Sequence, residues 1–463
     1  MGVGHNNRYD HYSSLNRLDT YMKEKIRIGG GAGFSGDRIE PAVLLVEKGE
    51  LDYLVLECLA ERTIALAQKR KMADPTKGYD PLLEKRIEAL LPHLIKNNTR
   101  LITNMGAANP LAAAKKIVEI GQKQNVSIKV AALTGDDVLE IIQKNSSSIK
   151  DLENGKSLNN YDLISANAYL GADVIVQALN TGAQIIVTGR VADPSLFLAP
   201  MIYEFGWDPG DYDLMGKGTI VGHLMECAGQ ITGGYFADGV HKKVSGLENL
   251  GYPFADVSRD GSAVISKVKG TGGVVNLQTA KEQLLYEVMN PNEYFTPDVI
   301  ADLTKVHLKE SGNDDVQVSG GSGKEKPATY KVSIGYKAFF LGEGEISYAG
   351  SSAYERAKLA GDIVEKRLKE KFAGLRVDFI GVQSMHKSTF ANPVVPYEVR
   401  LRVAGKSETA EEAALIGEEV EALYTNGPAG GGGARKYVNE VVGIVSTLID
   451  RNSISPQITI FQS

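Results

Sequence analysis

The sequence predicts an α/β fold: a doubly wound, mostly parallel sheet in the N-terminal part, then a C-terminal α+β domain of ferredoxin-like (split βαβ) order. Three observations predict it. Residues 26–63, IRIGGGAGFSGDRIEPAVLLVEKGELDYLVLECLAERT, read as apolar run, glycine turn, helical pattern, apolar run, which is the order of a βαβ unit. The alternation recurs as far as about residue 205, with polar residues closing each apolar run. From residue 330 the order becomes strand-helix-strand, strand-helix-strand.

In chain order, Ile26 opens the first strand and Leu51 to Leu56 form the second. Asp37 is the expected N-cap of the helix between them, with Glu40 completing a capping box and Pro41 in the first turn. A helical region from Ala60 to Asn97 breaks near Asp74 to Tyr79. Arg100 to Thr103, Ser127 to Leu133, Leu163 to Ala168 and Gln184 to Val187 are further strands, and Pro110 starts a helix. Asn145 to Asn160 is a polar excursion, and helices follow at Pro194 to Phe205 and Gly218 to Gly229. Parallel strands with right-handed crossovers place all the polar tips on one sheet edge, where ligands of such folds bind. An open sheet is preferred over a barrel-like closure. Past Gly251 short β segments prevail, and 311–329, rich in Gly, Ser and charge, reads as a linker or long hairpin loop. The expected division is therefore 1–310 for the α/β domain with the active site and 330–463 for the second domain. There Ser352 and Thr409 are the expected caps of two helices, whose apolar faces carry Ala357, Ala360, Val364, Leu368 and Ala413, Ile416, Val420, Leu423.

The 463 residues are 43% hydrophobic, enough for a large core, and the net charge of −6 comes without basic blocks. Nucleic acid is thereby disfavoured as a partner. The opening MGVGHNNRYDHYSS is polar and no apolar run reaches the roughly 18 residues of a membrane span. Two cysteines, Cys58 and Cys227, suit a reducing compartment better than a disulfide framework. A homo-oligomer is the expected assembly.

The glycine cluster admits three readings. Gly31-x-Gly33-x-x-Gly36 matches the dinucleotide fingerprint, with Glu57 near the ribose-binding position, and would make the protein an NAD(P)-dependent oxidoreductase. Against this, a helix opening at the second glycine would enclose Pro41 at a cost of roughly 3 kcal/mol. The turn otherwise brings the backbone of Gly30, Gly31 and Gly33 to an anionic or carbonyl ligand, or is simply tight.

Five other strand ends carry polar groups. Glu57 closes an apolar strand, where burial raises a carboxyl towards a useful base; the alternative is neutralisation by Arg62 or Arg38. Arg190 could hold a carboxylate by two hydrogen bonds, or pair with Asp193 or Asp136. Asn104, Asn109, Asp136 and Asn167 stand at neighbouring tips as substrate-binding candidates. His223 and Glu226, three apart on a helix, could act as acid and base, bind a divalent metal with a distant carboxylate, or form a buried hydrogen-bonded pair. Neither cysteine lies in a nucleophile motif.

With these residues in view, the chain resembles the acyclic terpene utilisation (AtuA) family. The resemblance is carried by GGGAGFSGDRIEPAVLLVEKGELDYLVLECLAERTIALAQ, NTGAQIIVTGRVADPSLFLAP, GHLMECAGQITGGYFAD, DGSAVISKVKGTGGVVNLQTAKEQLLYEV and ALYTNGPAGGGG. It implies a cytoplasmic catabolic enzyme, a lyase or hydratase working on a branched acyl-CoA or the related carboxylic acid, with CoA arriving as part of the substrate. Such chemistry needs a base beside a carbonyl and donors for the enolate oxygen. Longer relatives carry a further small domain after a segment like GIVSTLIDR; the resemblance leaves open whether that function is absent here or comes from a separate small ferredoxin-fold partner subunit. A non-catalytic subunit of a catabolic complex is the remaining alternative.

Overall fold

Side-chain alternation in a short run of parallel strands decides the architecture of the computed structural model, which describes residues 23–386 and 395–463. The polar opening segment lies outside the described residues. The first half runs β1 (Lys25–Ala32), α1 (Glu40–Lys48), β2 (Tyr53–Leu56), α2 (Glu61–Ala73), α3 (Leu83–Lys96), β3 (Arg100–Thr103), α4 (Pro110–Lys123), β4 (Lys129–Thr134), α5 (Leu139–Lys144), β5 (Asp162–Ala168), α6 (Ala172–Asn180), β6 (Ile185–Thr188), α7 (Asp193–Phe205) and α8 (Tyr212–Glu226). Alternate residues point to opposite sheet faces. Ile28, Tyr53, Val55, Ile102, Leu133 and Ile186 therefore meet α6, α7 and α8 in one core. Leu54, Leu56, Leu101, Val130, Ala132, Ile185 and Val187 meet α1, α3 and α4 in another. Burial on both faces is what the near-continuous apolar runs encode.

The second half runs β7 (Pro253–Ser258), β8 (Ala263–Lys267), α9 (Leu277–Leu285), β9 (Tyr294–Phe295), β10 (Ile300–Gly312), β11 (Asp315–Lys324), β12 (Thr329–Ala349), α10 (Ala353–Leu368), β13 (Arg376–Ile380), β14 (Glu398–Ser407), α11 (Ala410–Asn426), β15 (Gly432–Asp450) and β16 (Gln457–Gln462). The large sheet has eleven strands in the order β16-β4-β6-β3-β2-β1-β7-β8-β11-β10-β9. Strands β4, β6, β3, β2 and β1 are parallel, and every other neighbouring pair is antiparallel. The sheet is thus open and mixed, parallel only in its α/β portion. Within 311–329, residues 315–324 form β11, a full hairpin strand between β10 and β8.

Two strands cross between the sheets. The second sheet has the order β13-β14-β12-β15, and β5 pairs with β12 beside it instead of joining its parallel siblings. In return β16, the last strand of the chain, pairs with β4. One face of the second sheet is covered by α10 and α11 through Ala357, Ala360, Val364, Leu368, Ile416, Val420 and Leu423. Thr409 caps α11 by accepting from the Glu412 N–H, as its position suggests. Ser352 does not cap α10: its φ of 58° turns its hydroxyl away from the helix N–H groups. Asp37 is not the cap of α1 either, since Ile39 holds that place and the Asp37 carboxylate accepts from the Gly33 N–H at 2.8 Å. Among the described residues no helix is long and apolar enough to cross a membrane.

The glycine run has a steric role that the sequence does not reveal. Gly29, Gly30 and Gly31 lie within β1, and the end of α8 packs directly on this backbone. A Cβ on Gly30 would lie 2.9 Å from the Met225 carbonyl oxygen, and one on Gly33 would lie 2.4 Å from the Cys227 backbone. Gly33→Ala is accordingly expected to destabilise the fold by about 1–3 kcal/mol through overpacking, read as a lower urea midpoint with an unchanged slope.

Candidate active site

The parallel strands end side by side, and their polar tips form one buried network. Glu57 follows β2 and keeps 8% of its surface exposed. Its Oε1 accepts from Asn104 Nδ2, at the tip of β3, at 2.8 Å and from the Leu59 N–H at 2.9 Å. Asn104 returns the contact by accepting from the Cys58 N–H, which locks the loop after β2 onto β3. Burial pushes the Glu57 carboxyl up to about 7, against the opposing pull of the Arg190 charge and these two hydrogen bonds, and the nearby Glu226 adds to the rise.

Arg190, just past β6, is fully buried. Its guanidinium donates to the Leu59 and Val191 carbonyl oxygens and pairs with Asp193, the first residue of α7. Leu59 thus bridges the two: its N–H reaches Glu57 and its carbonyl oxygen reaches Arg190. The guanidinium carbon also stands 4.5 Å from the centroid of the Tyr169 ring. Asp136, beyond β4, takes the Arg190 peptide N–H and Asn167 Nδ2, each at 2.9 Å. Burial raises it to about 6, with those hydrogen bonds pulling the other way. The guanidinium therefore pairs with Asp193, while Asp136 holds only the Arg190 backbone.

His223 and Glu226 share one face of α8, Nδ1 to Oε1 at 3.0 Å. The other ring nitrogen, Nε2, faces the Leu284 carbonyl oxygen at 3.2 Å, an acceptor only, so Nε2 carries hydrogen. Burial pulls the imidazole down, but the hydrogen bond and charge of Glu226 outweigh it and the balance is upward. Burial raises Glu226 as well. One proton is thus shared between Nδ1 and the carboxyl. Glu226 Oε2 is buried without a hydrogen-bond partner, a state that calls for a functional reason. Among the described residues no group of three or more His, Cys, Asp and Glu side chains is placed to hold a metal ion.

A cleft of about 950 Å³ opens at these tips. Arg190, Asp193, Glu61, Arg62, Tyr169 and Lys331 form its polar wall, and Leu152, Phe295, Pro297, Ile444 and Leu448 an apolar one. Glu57 lies behind Arg190 and does not line this cleft. Tyr169 and Lys331 both hydrogen-bond Glu61 Oε1 at 2.8 Å. Sequence reasoning passes over both. Lys331 reaches the cleft only because β5 pairs with β12, which sets the Tyr169 N–H on the Lys331 carbonyl oxygen at 2.9 Å. Glu61, four residues past Glu57, was within reach of the strand-end argument.

Other candidates lie elsewhere. Asn109 caps α4 and donates to the Pro75 and Lys77 carbonyl oxygens, so it ties down a loop and does not join the network. Gly30 and Gly31 are inside β1, and Gly33 borders a separate cavity of about 420 Å³ with Asp37 and Cys227. The dinucleotide fingerprint lacks its geometry: β1 runs past Gly31 to Ala32, α1 begins only at Glu40, and Asp37 already takes the Gly33 N–H. Cys58 is buried, with its thiol pushed far up, and accepts from the buried Arg86 at 2.9 Å.

A carboxyl raised from 4.5 to about 7 on folding binds its proton more tightly in the folded state. Its contribution is present below the ordinary carboxylate range and is lost as pH rises through about 7. Between about pH 5 and about pH 8 the wild-type protein should lose on the order of 2–3 kcal/mol relative to Glu57→Gln. Urea titrations of both proteins at the two pH values check this, and parallel pH profiles would remove the raised carboxyl.

Neither the curated proteins nor the solved structures show a significant match to the chain. The sequence profile described as "Acyclic terpene utilisation family protein AtuA" matches residues 26–460. With nearly all of its 463 residues inside that match, the chain belongs to the acyclic terpene utilisation AtuA family.

Proposed function

We propose that this protein is a lyase or hydratase acting on a branched acyl-CoA or the related carboxylic acid by acid/base chemistry with enolate stabilisation. Membership of the family implies a catabolic role. The observation that carries the finer reading is Glu57, raised to about 7 between Arg190 and Glu226 at the strand tips behind the cleft. A base poised near the working pH is what proton abstraction beside a carbonyl requires.

This chemistry requires the acyl end of the substrate to reach past Arg190, because Glu57, His223 and Glu226 do not line the cleft; the residues then divide the labour. In the dehydration direction, the reverse of a hydratase, Glu57 takes the proton α to the carbonyl of a β-hydroxyacyl substrate. The His223–Glu226 pair gives its shared proton to the departing hydroxyl, which leaves as water. In the lyase direction Glu57 takes the hydroxyl proton, the Cα–Cβ bond breaks, and the same pair protonates the enolate carbon. In both, the enolate oxygen gains from the guanidinium of Arg190, a cation held in a site of low dielectric. Asn104 holds Glu57 in place, and Asp136 with Asn167 holds the Arg190 backbone. The apolar wall of the cleft suits a branched hydrocarbon chain. We also read the β12–β15 unit as ferredoxin-like, on the support of its strand order and its two helices on one face.

Purified protein, with and without any small partner subunit, should turn over branched hydroxyacyl-CoA or enoyl-CoA thioesters without a nicotinamide cofactor. Glu57→Gln should lower kcat by roughly 10²–10⁴-fold while melting at or above the wild-type temperature at neutral pH. An inert wild-type protein across both thioester series, or full activity in Glu57→Gln, defeats the proposal.

A further inference from the structure

We infer that β15 is the contact between two copies of this chain, paired antiparallel about a twofold axis at Val438. β15 pairs with β12 along one side, and among the described residues no strand lies along its other side. From 435 to 440 every residue is exposed. Tyr437 is 46% and Val438 40% exposed. An open edge of this length is a template for another strand.

The backbone fixes the register. The Ser446 carbonyl oxygen points away from β12, where it accepts from the Leu152 N–H at 2.9 Å. Between 436 and 446 the ladder's irregularity falls on β12, at 337/339, so β15 keeps its alternation. Residues 436, 438 and 440 therefore offer their N–H and C=O groups to the open edge. In an antiparallel pair, outward residues must face outward residues. An axis at Lys436 or at Glu440 would set like charges against each other, and an axis at Tyr437 or Asn439 would leave Lys436 and Glu440 opposite only Val438, Ala434 or Val442. An axis at Val438 sets Lys436 opposite Glu440 twice.

The charges around this axis continue in alternating sign. Within one chain Lys436 pairs with Glu421 at 2.6 Å, and Glu440 with Lys69 at 2.5 Å. Across the axis the row would run Glu421, Lys436, then the second copy's Glu440 and Lys69. Charges of alternating sign about a twofold axis are self-complementary. An isologous twofold contact follows.

Light scattering and sedimentation equilibrium on the full chain test this. The wild-type protein should have twice the chain mass at concentrations on the order of 10 µM. Lys436→Glu, which replaces two attractions by two repulsions, should raise the dimer dissociation constant roughly tenfold or more. The double exchange Lys436→Glu with Glu440→Lys should recover part of that loss, because the exchanged residues attract across the axis while each meets a like charge, Glu421 or Lys69, within its own chain. Val438→Pro removes only an outward N–H and should also weaken the dimer. Circular dichroism confirms that each variant is folded. A wild-type monomer at that concentration, or a dimer indifferent to Lys436→Glu and to Val438→Pro, overturns the inference.

Discussion

One buried cation organises the site. Arg190 has almost no contact with water, and a buried charge is tolerated only where it is paired and hydrogen-bonded. Its partners come from three places in the chain: Asp193 at the start of α7, the Leu59 carbonyl oxygen after β2, and the face of Tyr169 after β5. Its charge lowers the pKa of Glu57, Glu61, Tyr169 and Glu226 alike. Removing it would leave several carboxyls in low dielectric without compensation. The loops after β2, β5 and β6 are therefore held in one arrangement by a shared electrostatic need, beyond the packing of the strands beneath them.

The exchange of strands between sheets follows the same logic. β5 hydrogen-bonds to β12 over residues 332–337, outside the parallel sheet of its neighbours in sequence. Its tip stays with the others, because Asn167 is tied to Asp136 and Tyr169 lies over Arg190. The detour brings Lys331 to Glu61 and gives the cleft a wall from the second sheet. A site closed by elements nearly three hundred residues apart cannot form until both sheets are in place. The antiparallel return of β16 onto β4 adds a second long-range tie.

What was legible in the sequence divides along physical lines. The parallel strands and the tips Glu57, Asn104, Asp136, Asn167 and Arg190 were legible, because apolar runs ending in polar residues fix both burial and direction. The apolar faces of α10 and α11 were legible for the same reason. Antiparallel neighbours of β1 were not, since nothing in a short apolar run says which way its partner points. Nor was the role of the glycines: a run of residues without side chains looks the same whether it admits a ligand or, as at Gly30 and Gly33, a helix end. Asp37 and Ser352 had the residue type of a cap without its backbone geometry. Lys331 was hidden because its contact depends on a pairing between segments that no local pattern links.

The arrangement of carboxyls also bears on which group acts as base. The charge of Glu226 adds to the rise at Glu57, so both cannot be ionised at low cost. Glu226 has a partner that can share its proton, because the Leu284 carbonyl oxygen keeps hydrogen on His223 Nε2 and leaves Nδ1 facing the carboxyl. Glu57 has no such partner. Its fixed neighbours are N–H donors and the distant side of a guanidinium, all of which favour the carboxylate. The proton therefore belongs on the α8 pair and the negative charge on Glu57. Burial alone would have held both groups neutral; it is Arg190, together with the asymmetric hydrogen bonding of the two carboxyls, that separates them into a base and an acid.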